Sequence, residues 1–240
     1  MRAIILAGGK GQRLRPYTTV LPKPLMPIGD MPILEVVLRQ LKRAGISRVT
    51  MAVGYLAELL QAFFQDGKRL GLPIDYSMEE RPLGTVGPLT LIDGLGDETF
   101  VVMNGDTLTT LDYSALIAHH KASGAMATIA TYVREVKIDF GVIESDTDGM
   151  ITGYVEKPTF DYRVSMGIYV FEPTALRYLK KGEYRDLPDL VKTLVADGQK
   201  VSAYPFTGYW LDMGRPDDYE RAIEEFESRR SEFIGPDAAP

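Results

Sequence analysis

The sequence contains no cysteine and only two histidines. Without cysteine the chain has neither disulfides nor thiolate metal sites. Acidic residues outnumber basic ones by 33 to 27, and the net charge of −6 leaves no general basic face for a nucleic-acid backbone. No apolar run approaches a membrane span, and the run at the start is too short for a signal peptide. We therefore expect a cytoplasmic enzyme with no membrane or nucleic-acid partner.

Repeats and domain linkers are absent from the sequence as well. With 45% hydrophobic and 25% charged residues, the 240 residues have an ordinary composition for one large α/β domain. No segment is rich enough in proline, glycine or serine to separate two domains. Residues 1–234 are therefore predicted to form one unit, with lobes at 1–110 and 111–234, and residues 235–240 a frayed, disordered tail.

The first half alternates short apolar runs with amphipathic stretches. Strands are predicted at residues 3–6, 48–54, 74–78 and 99–103, and helices at 32–44, 56–65 and 87–93. This order predicts a Rossmann-like, mostly parallel sheet with flanking helices. Shorter strands follow at 126–132, 141–144, 151–156, 163–171 and 201–205, with helices at 113–123, 187–196 and 216–225. They predict a mixed lobe with antiparallel hairpins over one side of the crevice.

The stretch LAGGKGQRLRPYTTVLPKPLMP, residues 6–27, follows the first strand. Its glycines are Gly8, Gly9 and Gly11. They allow a ligand to approach the backbone, and successive N–H groups in such a turn can bind an anion. Arg13 and the proline-flanked Lys23 add cations, so the stretch predicts a phosphate site. A Walker loop needs Gly-Lys-Ser/Thr, which is absent, and Leu14 stands where a dinucleotide fingerprint needs its last glycine.

The same stretch carries the pattern GG-x-G-x-R-L-x-P-x-T followed by P-K-P. It resembles the signature of the sugar-1-phosphate nucleotidyltransferases, the nucleotide-sugar pyrophosphorylases. The resemblance implies a fold of the nucleotide-diphospho-sugar transferase type, with a nucleotide-binding lobe at 1–110 and a sugar-phosphate-binding lobe at 111–234. It also implies two substrates, a nucleoside triphosphate and a sugar 1-phosphate, and leaves a homo-oligomer open. We find no hexapeptide-like repeat, so no second, β-helical activity is expected.

The resemblance gives catalytic roles to Arg13, Lys23 and Asp106. Arg13 would hold the β and γ phosphates, and Lys23 would hold the α-phosphate and the sugar phosphate. Asp106 and Asp212 would hold Mg²⁺, which prefers carboxylate oxygens; for either, a turn-capping role is the alternative. The expected nucleotide contacts are Leu6, Ala7, Gly8, Gly9, Gly11, Glu79, Pro82, Gly84 and Thr85. The expected sugar-phosphate contacts are Asn104, Gly141, Glu156, Lys157 and Ser165.

The nucleobase is predicted from the segment EERPLGT, which begins at Glu79. Readers of uracil and thymine in the family tend to carry glutamine at this position. A carboxylate only accepts hydrogen bonds, which suits N1–H and N2–H of guanine, so GTP is favoured. The segment also resembles mannose-1-phosphate and heptose-1-phosphate guanylyltransferases. Alternatively Glu80 faces the base, or both carboxylates face solvent. Ser165 stands where many relatives carry asparagine, which leaves the sugar open.

Other functions stay open beside this one. The same fold could serve a uridylyl- or thymidylyltransferase acting on glucose 1-phosphate or another sugar 1-phosphate. A regulatory subunit that binds nucleotide sugars without turnover would be marked by loss of the charged site residues. All four of them are present, namely Arg13, Lys23, Asp106 and Asp212. A glycosyltransferase would usually carry Asp-x-Asp after a strand, and Asn104 stands at the first of those positions. His119 and His120 share a predicted helix and are expected to be surface residues.

Overall fold

The computed structural model describes residues 1–235, so all but the first residue of the tail predicted at 235–240 lies outside the described residues. The strands are β1 (Arg2–Ala7), β2 (Pro27–Ile28), β3 (Met31–Pro32), β4 (Arg48–Val53), β5 (Ile74–Met78), β6 (Phe100–Asn104), β7 (Thr107–Thr109), β8 (Ala127–Lys137), β9 (Val142–Ser145), β10 (Ile151–Val155), β11 (Thr159–Phe171), β12 (Val201–Phe206) and β13 (Trp210–Asp212). The helices are α1 (Ile33–Arg43), α2 (Ala57–Phe64), α3 (Tyr113–Ser123), α4 (Leu187–Ala196), α5 (Pro216–Ser228) and α6 (Arg230–Ile234).

A seven-stranded sheet in the order β12-β8-β11-β6-β1-β4-β5 forms the centre of the fold. β6, β1, β4 and β5 are parallel to one another, and β12 is parallel to β8. The predicted α/β fold with a mostly parallel sheet is thus confirmed. The strands of the second half extend this same sheet, because β11 pairs antiparallel with the free edge of β6 and satisfies its backbone groups.

Both faces of the sheet are covered, which explains why β1 is a continuous apolar run. Ala3 and Ile5 belong to a core shared with α1, α2 and α3, whereas Ile4 belongs to a second core shared with α4. A third core joins α5 and α6 to the hairpin β2–β3, with Phe226 stacked on Phe233 at a centroid distance of 5.9 Å. The last two helices are therefore fastened to the loop that carries Lys23.

Two three-residue strands, which form a small sheet of their own, bring late residues of the chain beside Asp106. β13 pairs antiparallel with β7, which sets Asp212 opposite Thr107. Since β7 begins directly after Asp106, this pairing places the two predicted metal ligands side by side. Strands of three residues are too short to show a periodic pattern, so the sequence did not predict the pairing.

Two expectations about local structure were wrong. The helix predicted at 87–93 is a 3-10 turn, Gly87–Leu91, because its N–H groups bond to carbonyls three residues earlier, Leu89 to Val86 and Ile92 to Leu89. His120 is buried, not a surface residue: its Nδ1 lies 2.8 Å from Thr128 Oγ1 and its Nε2 lies 3.1 Å from Glu172 Oε1.

The outer halves of β8 and β11 run past the sheet as a two-stranded arm, and β9 and β10 form a separate hairpin nearby. Most side chains of the arm are exposed, including Phe160 and Tyr162. Within residues 1–235 no helix combines the length and the apolar character needed to cross a bilayer.

Candidate active site

A cleft of about 910 Å³ opens at the carboxyl ends of the parallel strands. Its walls come from the segments that follow β1, β4, β5 and β6, together with Tyr184 and Gly214 from the second half. This is the edge at which open α/β sheets bind their ligands, and the volume suits a nucleotide-sized molecule.

The glycine loop forms one wall of this cleft. Gly11 adopts a φ of +58° and starts a 3-10 turn, and its carbonyl accepts a 2.8 Å hydrogen bond from Thr18 Oγ1. A Cβ at Gly11 would come 2.9 Å from Thr18, whereas a Cβ at Gly9 would meet nothing within 4 Å. The loop is therefore braced at Gly11 and open to the cleft at Gly9.

Lys23 lies at the centre of the charged part of the site. Its Nζ forms an ion pair with Asp106 and lies 3.6 Å from Asp212 Oδ1. The Lys23 side chain is 11% exposed, that of Asp106 20% and that of Asp212 43%. A one-turn 3-10 helix, Lys23–Leu25, fixes the lysine backbone between its two prolines. Three residues from distant parts of the chain thus meet around one ammonium group.

The surroundings of Asp106 perturb its ionisation. Burial raises the pKa of Asp106 above its ordinary value, and the Lys23 ammonium acts against that rise. The carboxylate of Asp212 raises the pKa of Asp106 further. A second cation near Asp106 and Asp212 would reduce the repulsion between the two carboxylates.

The two carboxylates fit a magnesium ion. Asp106 Oδ1 is buried with no hydrogen-bond partner in the described part of the chain, and Asp212 remains open to solvent. No group of three His, Cys, Asp or Glu residues within 1–235 could hold a metal on its own. Mg²⁺ needs no such cage, because it keeps waters and takes substrate phosphates beside one or two carboxylates.

Arg13 lines the cleft beside this centre. Its guanidinium lies over Gly214, where an added Cβ would come 3.3 Å from both terminal nitrogens. Among residues 1–235 it has no carboxylate within ion-pair distance. Its charge is therefore available to an anion in the cleft.

Glu79 also lines the cleft, and its carboxylate packs against the glycine loop at Gly8. Its Oε2 accepts a 3.1 Å hydrogen bond from the Leu83 N–H, and a Cβ at Gly8 would come 1.9 Å from its Oε1. The absence of a side chain at Gly8 thus makes room for this carboxylate. Burial raises the pKa of Glu79, and the Leu83 N–H opposes the rise. Glu80 also lines the cleft but is exposed.

Most of the predicted site residues lie together in the cleft. They are Leu6, Ala7, Gly8, Gly9, Gly11, Arg13, Lys23, Glu79, Pro82, Gly84, Thr85, Asn104 and Asp106. Asp212 lies next to this set, since its carboxylate is 3.6 Å from Lys23 Nζ. Asn104 fills the space over Gly167, where an added Cβ would come 2.6 Å from Asn104 Nδ2.

The other predicted sugar-phosphate contacts lie outside the lining of the cleft. Gly141 and Glu156 are close together, because a Cβ at Gly141 would come 2.2 Å from the Tyr154 hydroxyl and 3.1 Å from Glu156 Oε2. Lys157 is exposed and holds a positive φ of +45°. Ser165 Oγ lies 2.9 Å from the hydroxyl of Tyr169. Gly141, Glu156 and Lys157 flank the hairpin β9–β10, and Ser165 lies in β11 opposite Thr131.

The sequence did not single out two tyrosines that line the cleft. Tyr55 follows β4, and its hydroxyl donates to the Thr19 carbonyl at 3.0 Å. Its position after a strand and a glycine is the one signal that could have found it. Tyr184 belongs to no recognisable motif and reaches the cleft through tertiary contacts alone.

Comparison with known proteins agrees with this geometry. The profile of the family described as Nucleotidyl transferase matches residues 2–229. A UTP–glucose-1-phosphate uridylyltransferase of Synechocystis sp. is 37% identical, covering 95% of this chain and 64% of the relative. A mannose-1-phosphate guanylyltransferase of Mycobacterium tuberculosis is 35% identical, covering 91% and 62%. The chain therefore spans less than two thirds of the length of these relatives.

A solved structure shows the same fold. It is that of a Bacillus anthracis protein provisionally named glucose-1-phosphate thymidylyltransferase, with a TM-score of 0.76 and 24% sequence identity, covering 100% of this chain and 97% of that one. At this identity the likeness bears on the fold alone.

Proposed function

The chain belongs to the nucleotidyl transferase family, and from that premise we propose that it condenses a nucleoside triphosphate with a sugar 1-phosphate to give a nucleotide sugar and pyrophosphate. GTP and mannose 1-phosphate, or a related hexose or heptose 1-phosphate, are the proposed substrates. One observation carries the proposal: the Lys23 ammonium lies between Asp106 and Asp212 at the end of the glycine loop.

The proposed reaction joins two anions. A phosphate oxygen of the sugar 1-phosphate attacks the α-phosphorus, and the bond from that phosphorus to the bridging oxygen breaks as pyrophosphate leaves. Lys23 would hold the α-phosphate and the attacking phosphate, and Arg13 the leaving pyrophosphate. Such preorganised cations stabilise charge in the transition state. The attacking phosphate is already anionic, so no side chain has to remove a proton.

Magnesium is the proposed cofactor, with Asp106 and Asp212 as its protein ligands. When bound, the ion would neutralise phosphate charge and align the reacting groups. The unpartnered Asp106 Oδ1 supports this assignment, since a buried lone pair without a partner is costly.

Glu79 supports a preference for guanine. Its carboxylate faces the cleft across Gly8, and it offers acceptors to N1–H and N2–H of that base. The Mycobacterium relative, named as a guanylyltransferase, points the same way. The Synechocystis relative is named as a uridylyltransferase, and uridylyl transfer is therefore the second candidate.

A substrate matrix tests the proposal. The chain is incubated with Mg²⁺, one of GTP, ATP, CTP, UTP or dTTP, and the 1-phosphate of mannose, glucose or a heptose, and products are identified by mass. A GDP-sugar as the main product agrees with the proposal, whereas a clear preference for UTP or dTTP contradicts the role given to Glu79. Nucleotide-sugar binding without any product favours the regulatory alternative. The sugar contacts at Gly141, Glu156, Lys157 and Ser165, a homo-oligomer and a cytoplasmic location stay predictions.

A further inference from the structure

A segment from the second half of the chain is fastened to the loop that begins at Glu79. The Arg185 N–H donates to the Leu83 carbonyl at 2.9 Å, and the Arg185 carbonyl accepts from Val86 and Gly87 at 3.1 and 3.2 Å. The packing leaves no room for side chains at the glycines, since a Cβ at Gly84 would come 2.6 Å from the Arg185 carbonyl oxygen. Segments about a hundred residues apart in sequence therefore form one wall.

Asp186 links the two segments a second time. Its Oδ1 accepts a 3.1 Å hydrogen bond from the Thr85 N–H, and its Oδ2 accepts a 2.6 Å bond from the Tyr184 hydroxyl. The Thr85 hydroxyl in turn accepts from the Leu187 N–H at 2.6 Å. Tyr184 is thus anchored at its tip by the same carboxylate that holds the loop.

Tyr184 nevertheless remains 63% exposed and lines the cleft. It lies beside the loop that carries Glu79, Pro82 and Gly84. An anchored aromatic ring in a polar cleft provides a flat apolar surface, and such rings contact nucleobases favourably because every base has a π face. The larger purine offers more surface to the ring than a pyrimidine does.

We propose that Tyr184 is a nucleobase-contacting residue that favours purine nucleotides, with its ring held in place by Asp186. This inference rests on the proposed function and adds to it a contact that does not depend on the hydrogen-bonding pattern of Glu79. The base would lie between the loop after β5 and the segment before α4.

The test separates the ring from its hydroxyl. Tyr184→Ala removes both, whereas Tyr184→Phe keeps the ring and loses the bond to Asp186. Tyr162→Ala is the matched control, because Tyr162 is 54% exposed and lies on the arm, outside the lining of the cleft. Dissociation constants for GTP and UTP are measured by calorimetry with Mg²⁺ and without sugar phosphate, and the melting temperature of each variant is recorded.

We expect Tyr184→Ala to weaken GTP binding about tenfold and UTP binding less, at an unchanged melting temperature. Tyr184→Phe should keep most of the affinity, and Tyr162→Ala should match the unaltered protein. In steady-state assays Tyr184→Ala should raise KM for GTP and change kcat little. Unchanged GTP affinity in Tyr184→Ala, or an equal loss for GTP and UTP, would overturn the proposal.

The outcomes also separate this inference from the proposed function. If the protein forms a nucleotide sugar but Tyr184→Ala leaves the dissociation constant and KM unchanged, the inference fails and the function stands. If Tyr184→Ala weakens GTP binding but no sugar phosphate yields a product, the proposed activity fails and the base contact stands.

Discussion

Replacing Lys23 by methionine should both destabilise the fold and abolish turnover, because its ammonium group pairs with Asp106 and is proposed to hold the reacting phosphates. Methionine keeps the length of the side chain but leaves both oxygens of Asp106 without a partner, because Oδ1 already has none. Breaking a fully buried ion pair costs about 3–5 kcal/mol. Asp106 keeps 20% of its side-chain surface exposed, so water can replace part of the loss. We therefore expect a loss of about 1–3 kcal/mol in the free energy of unfolding.

The double variant Lys23→Met/Asp106→Asn separates stability from activity. With both charges gone, most of the lost stability should return, whereas turnover should stay at least about a hundredfold below that of the unaltered protein. Asp106→Asn alone should destabilise less than Lys23→Met, because Lys23 keeps Asp212 at 3.6 Å. Urea denaturation gives the midpoint and slope for each variant, and pyrophosphate release gives the rate.

Lys68→Met is the control for this series. Lys68 pairs with Asp66 at 2.7 Å, but its side chain is 90% exposed, so its loss should leave the urea midpoint and the rate unchanged. A midpoint for Lys23→Met equal to that of the unaltered protein would show that the central ion pair does not stabilise the fold. Unimpaired turnover in Lys23→Met would remove this lysine from the reaction.

Three more predictions follow from single positions. Gly9→Ala should leave the melting temperature unchanged and weaken nucleotide binding. In the control Gly96→Ala the added Cβ also meets nothing within 4 Å, and neither the melting temperature nor the affinity should change. Equal affinities of the two variants in calorimetry would mean that no ligand approaches Gly9. Glu79→Gln adds a donor to the base subsite and should shift the kcat/KM ratio of GTP to UTP toward UTP by roughly tenfold or more, and an unchanged ratio would exclude Glu79 as the base reader. Burial lowers the pKa of His120, and the charges of His119 and Lys121 lower it further, whereas Glu172 raises it. As the pH is lowered below about 6.5, the unfolded chain therefore binds more protons than the folded one, and the free energy of unfolding falls. His120→Gln removes that component, and parallel stability curves for both proteins across this range would contradict it.

Local patterns in the sequence were sufficient to predict the strands of the central sheet and the half of the site that follows them. The glycine loop, Glu79 and Asp106 each lie directly after a parallel strand, and the ends of such strands meet at one edge. Their convergence therefore follows from the strand order. Helices α3 and α4 were predicted with the bounds that the structure has. α3 is bounded by the N-cap Asp112 and by Gly124, and α4 repeats apolar residues at helical spacing.

Residues placed by tertiary pairing could not be predicted with the same means. Asp212 reaches Lys23 only because β13 pairs with β7, and Tyr184 reaches the cleft only because Arg185 bonds to the loop after β5. His120 is polar and stands beside His119, which favours a surface position by composition. Its burial depends on Thr128 in β8 and Glu172 just after β11, which offer hydrogen bonds to its two ring nitrogens.

The charges of the site explain why residues from separate segments of the chain meet there. Lys23 and Arg13 together balance Asp106 and Asp212, and all four come from segments held by different parts of the fold. Since the like-charged aspartates repel, they would not stay close without the lysine between them and the β13–β7 pairing behind them. The proposed ligand brings both anions and a cation, so its phosphates would pair with Lys23 and Arg13 while its cation pairs with the two aspartates. The free protein therefore already holds the charges that the metal-bound triphosphate proposed as its ligand would require.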